Sequence, residues 1–423
     1  MLVYILNKDG QALMPTTPSK AKKLLRDGKA KCIKRTPFTV QLLFGSSGYK
    51  QEITLGVDAG SKTIGLSATS EKEELFSGEV ELRTDIVDLL STRRQNRRTR
   101  RNRLRYRKAR FSNRVGSKNK GWLTPSIQNK LNTHLKIVEK VYRILPITKI
   151  IVEVASFDIQ KIKNPDIQGV EYQQGNQLTF WNVREYVLFR DGHKCNGKKG
   201  CKNKILNVHH IESRKTGGDS PNNLITLCED CHNDYHSGKL KLNLKRGQSF
   251  RDAAFMGIMR WSFYNKLKGL YPNVNLTYGY ITKNTRITNN LSKEHTIDAL
   301  CITGNPTVKQ LDDYYFIKQV RKHNRQIHKA NILKCGKKKL NQAPYLVKGF
   351  RLFDKVKFQE KECFIFGRRS SGYFDLRTLD GIKIHASASV KKLELIELRK
   401  SLLWERRKQD SGVSKHSSPT LKG

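Results

Sequence analysis

The hydrophobic positions of this 423-residue chain change period along its length, and each change predicts an element. In residues 1–50 the run LVYIL alternates and turns at Lys8-Asp9-Gly10. A basic helical pattern, SKAKKLLRDGKA, then runs to Gly28, and PFTVQLLF alternates again, which predicts a small α+β unit. Alternation through Ile53, Leu55 and Val57 predicts a strand with Asp58 at its end, and Gly60 permits the turn into a second strand, TIGLSAT. IQNKLNTHLKIVEKVYRIL has a helical period and leads to KIIVEVASFD, an apolar run suited to a central strand and interrupted by Glu153. WNVREYVLFRD predicts an amphipathic helix, and SFRDAAFMGIMRWSFYNKL a helix whose apolar face is mixed with Arg251 and Arg260. VNLTYGYITKNTR alternates, and KEHTIDALCITG predicts a helix that projects His295 and Asp298, three apart, from one face. After residue 305 a basic segment reaches Lys339. The short runs YLVKGFRLF, DKVKF, CFIFGR, YFDLRTLDG and IKIHASASV follow, with turns at Gly367 and Gly372, and predict a small β-barrel. The last ~15 residues have a disordered composition.

Charge narrows the function. Lys and Arg number 82 against 37 Asp and Glu, a formal net charge of +45. A globular chain carrying that charge repels itself without a polyanion, so nucleic acid is the expected partner. No run approaches the ~18 apolar residues of a spanning helix. MLVYILNKDG lacks a signal peptide's charged start and cleavage site, so no membrane partner is expected. Cys32, Cys301, Cys335 and Cys363 are scattered without pairing logic, which points to a reducing, cytoplasmic compartment. Residues 91–114 hold eleven Arg, one Lys and no acid. A helix is predicted there, but charge all round leaves no apolar stripe to dock on a core. Arg93, Arg94, Arg97, Arg98, Arg100, Arg101, Arg103, Arg105, Arg107 and Arg110 are therefore expected to be sheathed by phosphate, which the planar guanidinium engages bidentately.

Metal-ligand chemistry concentrates between His193 and His236, which holds four of the eight cysteines and a histidine doublet. Cys195 and Cys201 precede the doublet, and Cys228 and Cys231 follow it as C-x2-C, two pairs able to close a structural zinc site. Five residues separate Cys195 from Cys201, beyond the usual two to four. Either that loop is enlarged, or the two are not both ligands.

The doublet His209-His210, Asn223 in the turn SPNNL, and His232 directly after the last cysteine resemble, in this order, the HNH nuclease family and its ββα-metal finger. The resemblance implies that His209 and His232 hold one catalytic Mg2+, that His210 is the general base, and that Asn223 orients the loop carrying His210. Imidazole titrates near neutral pH, as a base for water must. Asp58 at a strand end resembles the first catalytic aspartate of RuvC and the wider RNase H-like fold, and H-x-x-D-A from His295 resembles the third RuvC motif. Glu153, a buried acid costly without a partner, lies between them in sequence. The implied centre has Asp58, Glu153 and Asp298 round two Mg2+ ions, with His295 as general base or orienting group.

The arginine run after the first of these motifs resembles the bridge helix of IscB proteins and type II CRISPR effectors. With the finger nested before the third motif, and with GVEYQQG and TYGYITKNTR, the chain is similar to the transposon-associated IscB family. Leu13 to Thr17 resembles that family's N-terminal PLMP domain, with Ala12 where proline is expected. The implied fold is α/β and multidomain. A PLMP-like domain (1–50) precedes an RNase H-like RuvC sheet in three parts (51–90, 115–158, 239–304). The bridge helix (91–114), a linker (159–192) and the HNH domain (193–238) are inserted, and a β-rich C-terminal domain (305–423) contacts RNA and a target-adjacent motif. The segment between bridge helix and next strand is too short for a large guide-recognition lobe. The implied activity is RNA-guided cutting of double-stranded DNA, HNH on the target strand and RuvC on the other. A structured guide RNA supplies specificity by pairing. The implied particle is a monomeric ribonucleoprotein in a prokaryotic cytoplasm, at the nucleoid when bound to DNA.

Three other functions use parts of the pattern. A protein-guided HNH endonuclease of homing or restriction type explains residues 193–236 but leaves Asp58, Glu153 and Asp298 without a task. A nuclease-dead RNA-guided binder predicts a lost catalytic residue, and none is lost. A junction resolvase has no need of the finger.

Overall fold

The computed structural model describes residues 2–46, 48–104, 121–154, 180, 182–198, 200–201, 203–213, 218–247, 251–322 and 344–409. Near the N-terminus, β1 (Val3–Leu6), β2 (Ala12–Thr16), α1 (Pro18–Arg26), β3 (Ala30–Lys34) and β4 (Thr39–Leu42) form a sheet ordered β2-β1-β4-β3. Thr17 caps α1 through Lys20 N, and Gly28, at φ +64°, turns the chain away beyond its end. Val3, Ile5, Leu13, Ala21 and Val40 fill the space between helix and sheet. The expected α+β unit is present, with β2 and β3 as strands that the alternation did not single out.

Next come β5 (Thr54–Ala59), β6 (Thr63–Thr69), β7 (Glu74–Glu81), α2 (Ile86–Leu104), α3 (Pro125–Tyr142) and β8 (Lys149–Val154). One compact unit, residues 156–255, is inserted after β8, and the rest of the chain makes the other. The insert contains α4 (Val183–Arg190), β9 (Leu206–His210), β10 (Leu224–Cys228) and α5 (Glu229–His236), the last three being a β-hairpin followed by a helix.

The chain then adds α6 (Arg251–Lys268), β11 (Val274–Tyr278), α7 (Gly279–Thr288), α8 (His295–Ile302) and β12 (Asp313–Gln319). Last come β13 (Lys355–Phe358), β14 (Lys361–Arg368), β15 (Tyr373–Arg377), β16 (Lys383–Ser389), β17 (Glu394–Glu397) and β18 (Leu402–Lys408). The central sheet is mixed and seven-stranded, ordered β11-β8-β5-β6-β7-β12-β18. Its middle is largely apolar, with Leu55, Val57, Ile64, Leu66 and Val152 all at 0% exposure.

Two glycines let α8 lie directly on β5 and β6. A Cβ at Gly56 would come within 2.1 Å of the Ala299 carbonyl oxygen, and one at Gly65 within 1.9 Å of the His295 carbonyl oxygen. Any larger residue would push the helix off the sheet.

The structure departs from expectation in four places. VNLTYGYITKNTR alternates only as far as Tyr278 and then coils into α7. The C-terminal strands do not close into a barrel: β16-β15-β14-β13-β17 is an open sheet. YLVKGFRLF contributes only the isolated bridge Val347–Phe350, because the turn at Lys348-Gly349, both with positive φ, breaks the strand. Moreover, β12 and β18, from the segment expected to form a separate domain after 305, extend the central sheet. No helix among the described residues is long and apolar enough to cross a membrane.

Candidate metal centres

At one end of the central sheet the parallel strands β5 and β8 are in register through Val57↔Val152, so Asp58 and Glu153 follow as neighbours. Both are largely buried, at 7% and 9% exposure. On the adjacent strand Asp58 pairs with Gly65, the residue whose missing side chain admits the start of α8. That close approach sets His295 Nδ1 2.7 Å from Asp58 Oδ2. A carboxylate only accepts, so Nδ1–H donates. One turn along, Asp298 Oδ1 meets Arg286 Nε of α7 at 3.0 Å. Arg260 of α6 reaches in from beyond the insert. Its Nη1 lies 2.8 Å from Glu153 Oε1, its Nη2 3.7 Å from Asp58 Oδ1, and its Nε donates to the Ala59 carbonyl at 2.9 Å.

The electrostatics follow from burial. Desolvation pushes the Glu153 carboxyl above its ordinary value against the pull of Arg260, with the charge of Asp58 adding to the rise. Asp298 is raised by burial and by Asp58, against Arg286. The hydrogen bond to Asp58 raises His295 despite its partial burial. Oxygen donors of this kind suit Mg2+ or Mn2+, and two guanidinium groups already balance part of their charge. The three carboxylates do not form a cluster with all ligand atoms within 4.8 Å. Among the described residues two other groups do.

One is Cys195, Cys201, Cys228 and Cys231. All four predicted sulfurs come together, the enlarged loop included. Gly197 makes this possible: a Cβ there would stand 2.8 Å from Cys231 Sγ. Burial opposes ionisation of Cys195, but hydrogen bonds from the Cys228 and Gly197 backbone outweigh it and hold that thiol below its usual range. Four thiol donors at this spacing fit a tetrahedral zinc site. The apolar residues around them are few, chiefly Leu227, Leu206, Ile225, Leu240 and Leu242.

The other group is His209, His232 and His236. His209 sits on β9 and the other two, four residues apart, on one face of α5. Burial and the neighbouring imidazoles push His209 down to about 4, so the ring stays neutral and able to bind a cation. Beside it, His210 Nε2 contacts Asp219 Oδ1 at 2.9 Å. Asn223 is fully buried and ties the loop after His210 at both ends. Its Nδ2 donates to the Glu212 and Gly218 carbonyls at 3.0 and 2.9 Å, and its Oδ1 accepts from Glu212 N at 2.9 Å.

The arginine run lies on α2, which starts at Ile86, ahead of the predicted residue 91. Arg93, Arg94 and Arg97 are exposed. The side chains of Arg98, Arg100, Arg101 and Arg103, and all of Arg105, Arg107 and Arg110, lie outside the described residues. Sequence reasoning missed Arg286, Asp219 and His236 and gave Arg260 no partner. The H-x3-H spacing after Cys231 was the available signal for His236.

Residues 3–175 match a family described as RRXRR protein, and residues 193–238 one described as HNH endonuclease. The chain is 40% identical over 45 residues to anaredoxin from Nostoc sp. (strain PCC 7120 / SAG 25.82 / UTEX 2576), a match covering 10% of this chain and 59% of anaredoxin. Two structures of Streptococcus thermophilus Cas9, in complex with the AGAA PAM and with the GGAA PAM, are each 14% identical. Their TM-scores are 0.35 and 0.34, over 49% and 50% of this chain and 30% of each Cas9 chain. The chain thus spans less than two thirds of the length of each.

Proposed function

We propose that the chain, whose residues 3–175 match the RRXRR family and residues 193–238 the HNH endonuclease family, is an RNA-guided, metal-dependent endonuclease of the IscB/Cas9 type that cuts both strands of a guide-matched DNA. The finger cuts the strand paired with the guide, and a RuvC-type centre at the end of the central sheet cuts the other. One observation carries this reading: Asp58, Glu153, His295 and Asp298, distant in sequence, meet at one sheet end in a chain that holds a separate histidine finger. A protein-guided HNH endonuclease has no use for the first of these centres.

In the finger, His209, His232 and His236 would hold one divalent ion. His210 donates from Nε2 to Asp219, which leaves Nδ1 free to take a proton from water. Asn223 fixes the loop on which that base depends. At the sheet end, His295 gives its Nδ1 proton to the Asp58 carboxylate in a hydrogen bond and keeps Nε2 as acceptor, on a side chain 45% exposed. Asp58, Glu153 and Asp298 are the ligands for two Mg2+ ions, which when bound would supply Lewis-acid stabilisation of charge building on the scissile phosphate. The four cysteines would hold a structural zinc. The exposed arginines of α2 grip a structured guide RNA by its phosphates, pairing supplies specificity, and the C-terminal strands read a short target-adjacent motif. The particle is a monomeric ribonucleoprotein of a prokaryotic cytoplasm.

The test is to co-express the chain with its neighbouring genomic DNA, sequence the RNA that co-purifies, and assay cleavage of strand-labelled duplexes matching its variable end. A single structured RNA and two strand-specific cuts are expected, with His210→Ala removing only the paired-strand cut and Asp58→Ala only the other. Heterogeneous RNA with RNA-free cutting would replace this reading by a protein-guided endonuclease.

A further inference from the structure

Arg260 is among the least exposed charged residues of the described chain, at 7%, and it stands inside the proposed sheet-end centre. All three nitrogens of its guanidinium are directed: Nη1 to Glu153, Nη2 towards Asp58, and Nε to the Ala59 carbonyl. A residue that merely capped the acids from the rim would remain solvated, whereas this one lies between two carboxylates that are themselves nearly buried. Two such acids side by side are costly unless paired. A guanidinium therefore stabilises them in the absence of metal. A divalent ion bound through the Glu153 oxygen must share it with a guanidinium already 2.8 Å away, and the two cations repel.

We propose that Arg260 is a resident counter-cation that holds Asp58 and Glu153 together before metal arrives and then competes with the divalent ion for them, setting the metal affinity of this centre. The inference rests on the reading of these carboxylates as metal ligands. Arg260 is a positioning residue: it acts on the acids and through them on the metal.

The two roles have opposite signatures. A residue that only ties the acids weakens metal binding when it is removed; one whose competition outweighs its tie tightens metal binding when its charge is neutralised. Repulsion between a divalent ion and a guanidinium sharing one oxygen amounts to at least about tenfold in affinity, even at the dielectric constant of water.

The experiment is Mn2+ binding, followed by electron paramagnetic resonance, to the full zinc-loaded chain as wild type, Asp58→Ala, Arg260→Gln and Arg260→Lys. The sites lost in Asp58→Ala define the centre. At those sites Arg260→Gln should bind Mn2+ at least about tenfold more tightly while melting at a lower temperature without Mn2+. Arg260→Lys, which keeps the charge, should stay near wild type. Equal or weaker binding in Arg260→Gln overturns the proposal. A second measurement needs only the folded wild type. Mg2+ should shift the Arg260 Nε–H resonance, assigned by its absence from Arg260→Lys, and an unmoved resonance also overturns it. If Asp58→Ala loses no Mn2+ site, the metal-centre reading itself fails, which is a separate outcome.

Discussion

Gly65→Ala tests how the sheet-end centre is assembled. The substitution adds one methyl group to β6, opposite Asp58, and changes no charge. That methyl would stand 1.9 Å from the His295 carbonyl oxygen and 2.5 Å from its carbon, both backbone atoms with no rotamer to give way. Reaching an ordinary contact of 3.4 Å requires the start of α8 to retreat by about 1.5 Å. His295 and Asp298 ride on that helix, and the His295–Asp58 hydrogen bond, now 2.7 Å, would open beyond bonding distance. Overpacking of this kind costs about 1–3 kcal/mol of stability, and an ångström's displacement of catalytic groups costs roughly a hundredfold in rate. The assay is thermal unfolding beside strand-resolved cleavage. The cut assigned to the sheet centre should fall by about that hundredfold while the finger's cut persists. Gly257→Ala is the control: it has no neighbour within 4 Å, and Ala in the helix α6 should stabilise by up to about 1 kcal/mol. If Gly65→Ala melts like wild type and still cuts the non-target strand at the wild-type rate, α8 is not seated by that glycine and the account of the centre is wrong.

Asn223→Ala should destabilise the finger by about 1–3 kcal/mol, because two carbonyls and one amide of the loop lose their partner. Cleavage of the guide-paired strand should drop with it, and an intact rate would remove Asn223 from the positioning of His210. Gly197→Ala should speed zinc release to a colorimetric chelator, since its methyl meets Cys231 Sγ at 2.8 Å; wild-type release would mean that the loop does not close on the metal. His134 is fully buried and held down at about 4 by desolvation. The unfolded chain takes up a proton below pH 6.5 that the folded chain refuses until about pH 4, so the stability this neutral histidine contributes is present above pH 6.5 and lost between those values. The loss is about 3 kcal/mol, and His134→Phe should flatten that part of a pH–stability curve. Three imidazoles suit Ni2+ better than Mg2+, whereas carboxylates suit Mg2+. Ni2+ alone should therefore support the finger's cut, and equal support of both cuts would deny the difference in donor sets.

What could be read from the sequence was whatever interrupts a periodic pattern. Asp58 and Glu153 stand out because each places a charge in an apolar strand, and His295 and Asp298 because they share a helix face. The finger's cysteines and its doublet are visible because their spacing is local. Arg260 carried the same kind of interruption, a charge on an apolar helix, but its meaning lies in Glu153 and Asp58, which reach it only through the folded sheet. Gly56 and Gly65 look like ordinary strand glycines until α8 is laid across them. Closure of the C-terminal strands was misjudged for a related reason. Alternation identifies strands, but whether the first pairs with the last is decided by twist and by Lys348-Gly349, where the chain turns instead of extending.

The Glu153–Arg260 ion pair also explains how a sheet can carry a hundred-residue insert. Glu153 is one of the last residues of β8 before the inserted unit, and Arg260 lies midway along α6, a few residues beyond the unit's end. Their contact at 2.8 Å therefore brings exit and return of the chain together inside the main unit. Closing a loop depends weakly on its length, each doubling adding only about 0.6 kcal/mol, so the size of the insert matters little once its ends are fixed. Fixing them with a buried ion pair has a chemical consequence that an apolar contact would not. The carboxylate used to anchor the return helix is the one proposed as a ligand of the sheet-end centre, so on that reading the insert's attachment and the charge balance of the centre rest on the same two side chains.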